Sequence, residues 1–140
     1  MRVVFDTNIL ISAAMKPGGL EAKAISMREL QPCISEEILA EYQEVLLREK
    51  FRPWRSQAEA ILETVAGTAA KFTPTIRLTA AADDDDNRFL ECAEAADAAY
   101  LITGNLRHYP SRWRQTKILN ARMFFDLIGT TAQTDSHPDP

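Results

Sequence analysis

Cysteine and long apolar runs are scarce in this chain of 140 residues. Its two cysteines, Cys33 and Cys92, lie far apart and form no Cys-x-x-Cys motif. Neither a structural zinc site nor a redox motif is therefore indicated, and we expect both to be small buried apolar residues. No stretch approaches the roughly 18 apolar residues of a transmembrane helix, and the N-terminus lacks the pattern of a signal peptide. We expect a cytoplasmic protein with no membrane partner.

A large excess of charge of one sign is also missing. The chain has 20 acidic and 16 basic residues, which gives a formal net charge of −4. This balance argues against a non-specific nucleic-acid coat protein, although a local basic patch can still bind a phosphate backbone. The length fits a single core. We expect one domain over residues 1–129 and a disordered polar tail over residues 130–140.

Short apolar runs alternate with helical patterns along the chain. The sequence predicts strands that end near residues 5, 34, 78, 102 and 119. It predicts helices over residues 9–15, 20–30, 36–50, 53–72, 88–96 and 121–128, with Gly129 as a stop. This alternation indicates an α/β fold, with a parallel sheet and helices on both of its faces.

Asp6 stands where the first apolar run ends and a polar turn, Asp6-Thr7-Asn8, begins. Ligands of open parallel sheets bind just outside the carboxyl ends of the strands, so an acid at this point is a candidate site residue. An aspartate here can equally be the N-cap of the following helix.

Two further acidic features can likewise be interpreted either as part of a site or as purely structural. Glu41 lies beside the apolar arc of its amphipathic helix, where it is either a rim residue that faces a cleft or a boundary charge. The four aspartates at residues 83–86 precede a helix N-terminus, which offsets part of their repulsion, and they also suit a solvated loop.

Carboxylates gathered at one place repel each other and lose solvation, so a folded protein keeps them apart unless a cation lies among them. Oxygen ligands suit a hard cation such as Mg²⁺ or Mn²⁺. Such a cation activates water and stabilises charge on a phosphoryl group, which is the chemistry of a phosphodiesterase. Together, these acids are therefore stronger evidence for a metal site than any one of them is alone.

The ordered segments at residues 3–10, 37–46, 83–90 and 100–105 resemble the PIN-domain family, and the match extends to about residue 128. More narrowly, the chain is similar to the VapC-like branch, the toxin components of toxin–antitoxin systems. The resemblance implies a three-layer α/β/α sandwich around a central parallel sheet. It also implies a metal-dependent endoribonuclease that hydrolyses single-stranded RNA, a small antitoxin partner and a homodimer.

Residue by residue, the resemblance implies that Asp6, Glu41 and Asp86 hold Mg²⁺ or Mn²⁺ and carry the catalysis, with Asn105 assisting. The third position stays open, because Asp85 and Asn87 flank Asp86. Asn8 and Thr103 match positions that support the ligands through hydrogen bonds.

Asn105 departs from the family pattern, because many members carry a fourth aspartate at this position. An amide oxygen can still ligate a cation or hold a water bound to it, but it removes one negative charge. We therefore expect weaker metal binding. A catalytically weakened PIN-like module that binds RNA or protein stays open as an alternative.

Contacts to RNA would come from basic clusters, which are equally compatible with ordinary surface charge. One cluster comprises Arg107, His108, Arg112, Arg114 and Lys117, and the other comprises Arg48, Lys50, Arg52 and Arg55, with Phe51 and Trp54 among them. We expect His108 to contact phosphate or to be structural. A phosphoryl-accepting receiver or phosphatase domain also places an aspartate after a strand. Against this alternative, the first strand lacks the Asp-x-Asp pair of one such class, and the chain shows no clear matching lysine for the other.

Overall fold

Residues 1–135 are the part of the chain that this computed structural model describes, with side chains described up to residue 129. They form six strands, namely β1 (Arg2–Phe5), β2 (Gln31–Ile34), β3 (Ala70–Lys71), β4 (Tyr100–Ile102), β5 (Arg112–Trp113) and β6 (Thr116–Leu119). They also form six α-helices, namely α1 (Thr7–Met15), α2 (Leu20–Ile25), α3 (Glu36–Leu46), α4 (Arg55–Thr68), α5 (Asp84–Ala96) and α6 (Ala121–Asp135). Short 3-10 helices occupy Glu49–Trp54 and Leu106–His108.

The strands form one sheet in the order β3-β2-β1-β4-β6-β5. Every neighbouring pair is parallel except β5 and β6. Val3 and Val4 point to opposite faces of β1 and both are fully buried, so both faces of the sheet are covered. Helix α5 contacts β1, β2 and β4, and α1 packs with α2, α3 and α4. The predicted α/β sandwich with a central parallel sheet is confirmed.

The topology places the carboxyl ends of β1 and β4 side by side. Phe5 is in register with Ile102, and the amide of Asp6 donates a hydrogen bond of 2.9 Å to the carbonyl of Ile102. Asp6 and Thr103, which follow these two strands, therefore lie at the same edge of the sheet.

The predicted strand ending near residue 78 is wrong. The third strand is β3, within the segment predicted as the end of a helix. The exposed edge of β2 explains this difference, because Cys33 lies in register with Ala70 and the amide of Phe72 donates to the carbonyl of Ile34. Pairing with a neighbouring strand overrides a local helical pattern.

Several helix bounds also differ from the prediction. Helix α2 ends five residues earlier, at Ile25, and a 3-10 helix separates α3 from α4. Helix α5 begins at Asp84, because Asp83 caps it by accepting a hydrogen bond of 3.0 Å from the amide of Asp85. Helix α6 continues past the predicted stop at Gly129, since one glycine in a helix costs only about 1 kcal/mol.

The C-terminal residues 136–140, part of the tail predicted to be disordered, lie outside the described residues. The predicted domain bound at residue 129 stays a prediction. Among the helices that the structure describes, none combines the length and the apolar character needed to cross a membrane.

Candidate metal centre

Asp6 is the N-cap of α1 and is only 4% exposed. Its Oδ1 accepts a hydrogen bond of 2.7 Å from the amide of Thr7. Its Oδ2 accepts bonds of 2.7 Å from Thr103 Oγ1 and 3.2 Å from Tyr109 OH. Burial raises the pKa of Asp6, and these three hydrogen bonds act in the opposite direction. The helix-cap and site interpretations of Asp6 are therefore compatible, since one oxygen caps the helix and the other faces the supporting hydroxyls.

The segment that follows β4 is tied to the start of α1. Asn8 Oδ1 accepts a hydrogen bond of 2.9 Å from the amide of Gly104, and Asn8 Nδ2 lies 3.3 Å from Asp6 Oδ2. A Cβ atom on Gly104 would lie 3.3 Å from Asn8 Oδ1, so glycine permits this close approach. The structure thus places Asn8 and Thr103 in contact with Asp6, where they restrict the orientation of its carboxylate.

Glu41 projects from the half-buried rim of α3 towards the same place. Thr7 Oγ1 donates a hydrogen bond to Glu41 Oε2. Burial raises the pKa of Glu41, the Thr7 hydrogen bond lowers it, and the charges of Asp6, Asp85 and Asp86 raise it further. The pKa of Glu41 therefore depends on the charges of the neighbouring aspartates.

Asp86 lies in the first turn of α5 with its side chain 14% exposed. Its Oδ2 is 3.0 Å from His108 Nδ1. Burial, followed by repulsion from Asp6, raises the pKa of Asp86 from 3.8 to about 6, while the His108 hydrogen bond opposes this shift. A carboxyl group with such a pKa is largely ionised near neutral pH, and a binding cation readily displaces the remaining proton into solvent.

The two neighbours of Asp86 have different surroundings. Asp85 is exposed and borders the same open cavity as Asp6, Glu41 and Asp86. Asn87 is 2% exposed, and its Oδ1 accepts a hydrogen bond of 2.8 Å from the amide of Ala81. Asn87 thus fixes the loop before α5, which leaves Asp86 and Asp85 as the candidates for the third ligand.

All four predicted catalytic positions border one open cavity of about 380 Å³ at the carboxyl edge of the sheet. The carboxylates that border it are Asp6, Glu41, Glu44, Asp83, Asp85 and Asp86. Asn105 and His108 complete the wall formed by the loop after β4. The structure therefore brings together residues from four separate segments of the sequence.

As they stand, no three His, Cys, Asp or Glu side chains of the described residues are arranged to hold a metal ion. Their oxygens instead accept hydrogen bonds from the surrounding side chains of Thr7, Thr103, Tyr109 and His108. The donor chemistry still fits a hard cation, because Mg²⁺ is usually bound through one or two carboxylates and several waters. The ligand set Asp6, Glu41 and Asp86 stays a prediction.

Tyr109, which contacts Asp6, and Glu91, which holds the loop before α5, were not predicted. Tyr109 directly follows the 3-10 helix at Leu106–His108, and no local sequence pattern signals its contact with Asp6. Glu91 is 1% exposed and accepts a hydrogen bond of 2.8 Å from the amide of Leu78. Its spacing of four residues from Asn87 places two polar groups on the buried face of α5, which is a readable signal in the sequence.

Comparisons with known proteins agree with this architecture. The chain is 28% identical over 111 residues to the uncharacterized protein MJ1680 of Methanocaldococcus jannaschii, which covers 75% of this chain and 71% of that protein. The fold of the present chain is similar to that of a chain in the structure described as "Crystal structure of VapBC2 from Rickettsia felis bound to a DNA fragment from their promoter". That match has a TM-score of 0.59 at 18% identity and covers 86% of this chain and 98% of the other.

The sequence matches the family described as PIN domain over residues 2–107, which is most of its length. This match includes Asp6, Glu41, Asp86 and Asn105, and it confirms the resemblance drawn from the ordered motifs. The chain belongs to the PIN domain family.

Proposed function

We propose that this protein is an endoribonuclease that hydrolyses phosphodiester bonds in single-stranded RNA and depends on Mg²⁺ or Mn²⁺. The observation that carries the proposal is the convergence of Asp6, Glu41 and Asp86 on one cavity, where burial raises the pKa of each. Such an arrangement is unfavourable in isolation and is typical of a functional site. Membership of a family whose members are generally nucleases supports the same chemistry.

In this proposal Asp6, Glu41 and Asp86 hold the cation, and Asp85 is the alternative third ligand. The bound cation would supply Lewis acidity to a phosphodiester and to water. The protein restricts each ligand with its own hydrogen-bond donor, namely Thr103 for Asp6, Thr7 for Glu41 and His108 for Asp86. Asn105 would contribute a neutral amide oxygen where an aspartate would contribute charge.

We also infer that the protein acts in the cytoplasm as the toxin of a toxin–antitoxin pair, as a homodimer restrained by a small antitoxin. The VapC-like sequence resemblance and the fold shared with a chain of VapBC2 support this role. Expression of the wild-type chain alone should arrest growth, whereas Asp6→Asn should not. Light scattering on the purified protein tests the homodimer.

The decisive experiment is cleavage of an end-labelled single-stranded RNA with Mn²⁺, Mg²⁺ or EDTA, with Asp6→Asn purified identically. Asparagine is also a good N-cap, so this variant should fold. Cleavage by the wild type that EDTA and Asp6→Asn both abolish supports the proposal. Equal cleavage by both proteins would identify a contaminating nuclease and contradict it.

A catalytically weakened binding module is the second candidate. It is favoured by Asn105 and by the engagement of the carboxylates with hydrogen-bond donors. Metal-independent RNA binding without cleavage, in both the wild type and Asn105→Asp, would place this candidate first.

A further inference from the structure

The cavity that would receive an anionic phosphodiester is itself strongly acidic. Six carboxylates border it, and among the described residues that border it Arg48 is the one lysine or arginine. A bound cation offsets only part of this negative charge. A polyanionic strand that approaches the site therefore needs a positively charged contact at the cavity wall.

Arg48 is positioned to provide that contact. It follows the C-cap of α3 and is the N-cap of the 3-10 helix, so the chain changes direction at this residue on the rim of the cavity. Its guanidinium pairs with Glu44 Oε1 at 3.2 Å, and the two side chains are 49% and 70% exposed. An exposed ion pair one helical turn apart is weak, so a phosphate can displace Glu44 from Arg48.

The neighbouring arginines of the same cluster do not share this position. Arg52 pairs with Glu49 at 3.0 Å, and Arg52 does not border the cavity. Arg55 donates a hydrogen bond of 2.9 Å to the carbonyl of Leu47, which fixes the end of α3. Of the three arginines in the predicted basic cluster, one therefore lies at the site, one forms a surface ion pair and one makes a structural contact.

We propose that Arg48 is the phosphate anchor of the site, which binds a backbone phosphate of the RNA next to the scissile bond. This inference rests on the proposed function and adds a substrate-binding residue to it. A guanidinium can form two parallel hydrogen bonds with a phosphate. Arg48 therefore fixes the register of the RNA strand and also offsets the negative charge of one phosphate.

Arg48→Gln and Arg52→Gln form a matched pair of variants. Each removes one positive charge from the same surface and breaks one exposed ion pair, so their effect on the long-range field is similar. For Arg48→Gln we expect KM to rise about tenfold with kcat nearly unchanged, and the slope of log KM against log salt to fall by about 0.7. For Arg52→Gln we expect both quantities to stay at the wild-type value.

The outcomes separate this inference from the proposed function. A wild-type enzyme that cleaves RNA, with Arg48→Gln and Arg52→Gln indistinguishable in KM and salt slope, overturns the Arg48 assignment alone. If the wild type binds a fluorescent single-stranded RNA without cleaving it, the same comparison of dissociation constants decides the assignment. A wild type that neither cleaves nor binds the RNA overturns both. Arg48→Lys should restore the wild-type salt slope, but its KM should lie between those of Arg48→Gln and the wild type.

Discussion

Thr103 Oγ1 donates a hydrogen bond of 2.7 Å to Asp6 Oδ2 and accepts one of 3.0 Å from the amide of Asn105. Asp6 and Thr103 are 97 positions apart in sequence, and the parallel register of β1 and β4 brings them together. One buried hydroxyl therefore couples the orientation of the Asp6 carboxylate to the backbone that carries Asn105.

Thr103→Val should weaken metal binding more than it weakens the fold. Valine has nearly the same shape but cannot donate to Asp6, so the pKa of Asp6 should rise and Mn²⁺ affinity should fall about 10- to 100-fold. Stability should fall by about 1 kcal/mol. Isothermal titration calorimetry and urea unfolding measure the two effects.

Thr116→Val is the matched control for this change. Thr116 is also buried, and its Oγ1 donates a hydrogen bond of 2.7 Å to the carbonyl of Ala98, away from the cavity. It should show a similar loss of stability and wild-type Mn²⁺ affinity. An equal loss of affinity in both variants would mean that Thr103 acts only through stability.

The contact between His108 and Asp86 should hold down the pKa of Asp86. The His108 hydrogen bond is one of the influences that oppose burial at this carboxyl. In His108→Ala the pKa of Asp86 should therefore rise above its value of about 6. Carboxyl NMR titration of the metal-free protein measures it, and Arg107→Ala, which removes a neighbouring charge, is the control. A lower pKa of Asp86 in His108→Ala would contradict this assignment.

The metal-free protein should lose stability as the pH rises through the acidic range. The pKa of Asp86 is about 6 in the folded state against an ordinary 3.8, so the folded chain retains a proton that the unfolded chain has released. This contribution to stability is fully present below about pH 4 and is lost as the pH rises through about 6. The raised pKa values of Asp6 and Glu41 act in the same direction.

Melting temperatures of metal-free protein between pH 4 and 7 test this sign, with Asp86→Asn expected to flatten the dependence. Saturating Mn²⁺ should reverse the trend, because the cation binds the ionised carboxylates. Below pH 6, Mn²⁺ affinity should fall by up to about tenfold per pH unit for each proton displaced. A metal-free protein whose stability rises from pH 4 to 7 would show that the three carboxyls do not dominate its acid titration.

Glu91 should be essential for the loop that precedes α5. It is 1% exposed, lies 2.8 Å from an Arg88 nitrogen and accepts a hydrogen bond from the amide of Leu78. Glu91→Gln leaves the largely buried Arg88 without its main partner, so stability should fall by about 3 kcal/mol. Glu94→Gln on the same helix breaks the pair with the exposed Arg114, and it should cost less than about 1 kcal/mol. Urea unfolding compares the two variants, and similar losses would contradict the role of Glu91.

The parts of the site that could be predicted from sequence are those encoded locally. Asp6 and Thr103 follow apolar runs at the ends of strands, and Asp86 lies in the first turn of a helix whose periodicity is clear. Once the strands are parallel and adjacent, the meeting of their ends follows from the topology. The PIN resemblance added the order of these motifs.

The features that were missed depend on pairing or on packing. Strand β3 exists because the edge of β2 is free to pair with it. Strand β5 belongs to a hairpin in which Arg114 has a φ of 54°, so the usual Asn-Gly or Asp-Gly signal is absent. The orientation of Tyr109 towards Asp6 is set by the short 3-10 helix that precedes it and by its burial. None of these has a periodic pattern that a sequence can reveal.

Asn105→Asp should change metal binding and metal-free stability in opposite directions. It adds a negative charge to a cavity that six carboxylates already border, so the metal-free protein should unfold at a lower temperature. The same charge should tighten Mn²⁺ binding by about tenfold, or about 1.4 kcal/mol, which is within the range for one more unit charge close to a cation.

Asn120→Asp adds the same charge at a helix N-terminus outside the cavity, where Asn120 Oδ1 accepts a hydrogen bond of 2.8 Å from the amide of Met123. This variant should fold, because aspartate also caps a helix. It should leave Mn²⁺ affinity unchanged, because residue 120 does not border the cavity. Calorimetry on the three proteins separates a local ligand from a general charge effect. If Asn105→Asp binds Mn²⁺ no more tightly than Asn120→Asp, then residue 105 does not act on the cation, and the site relies on Asp6, Glu41 and Asp86 alone.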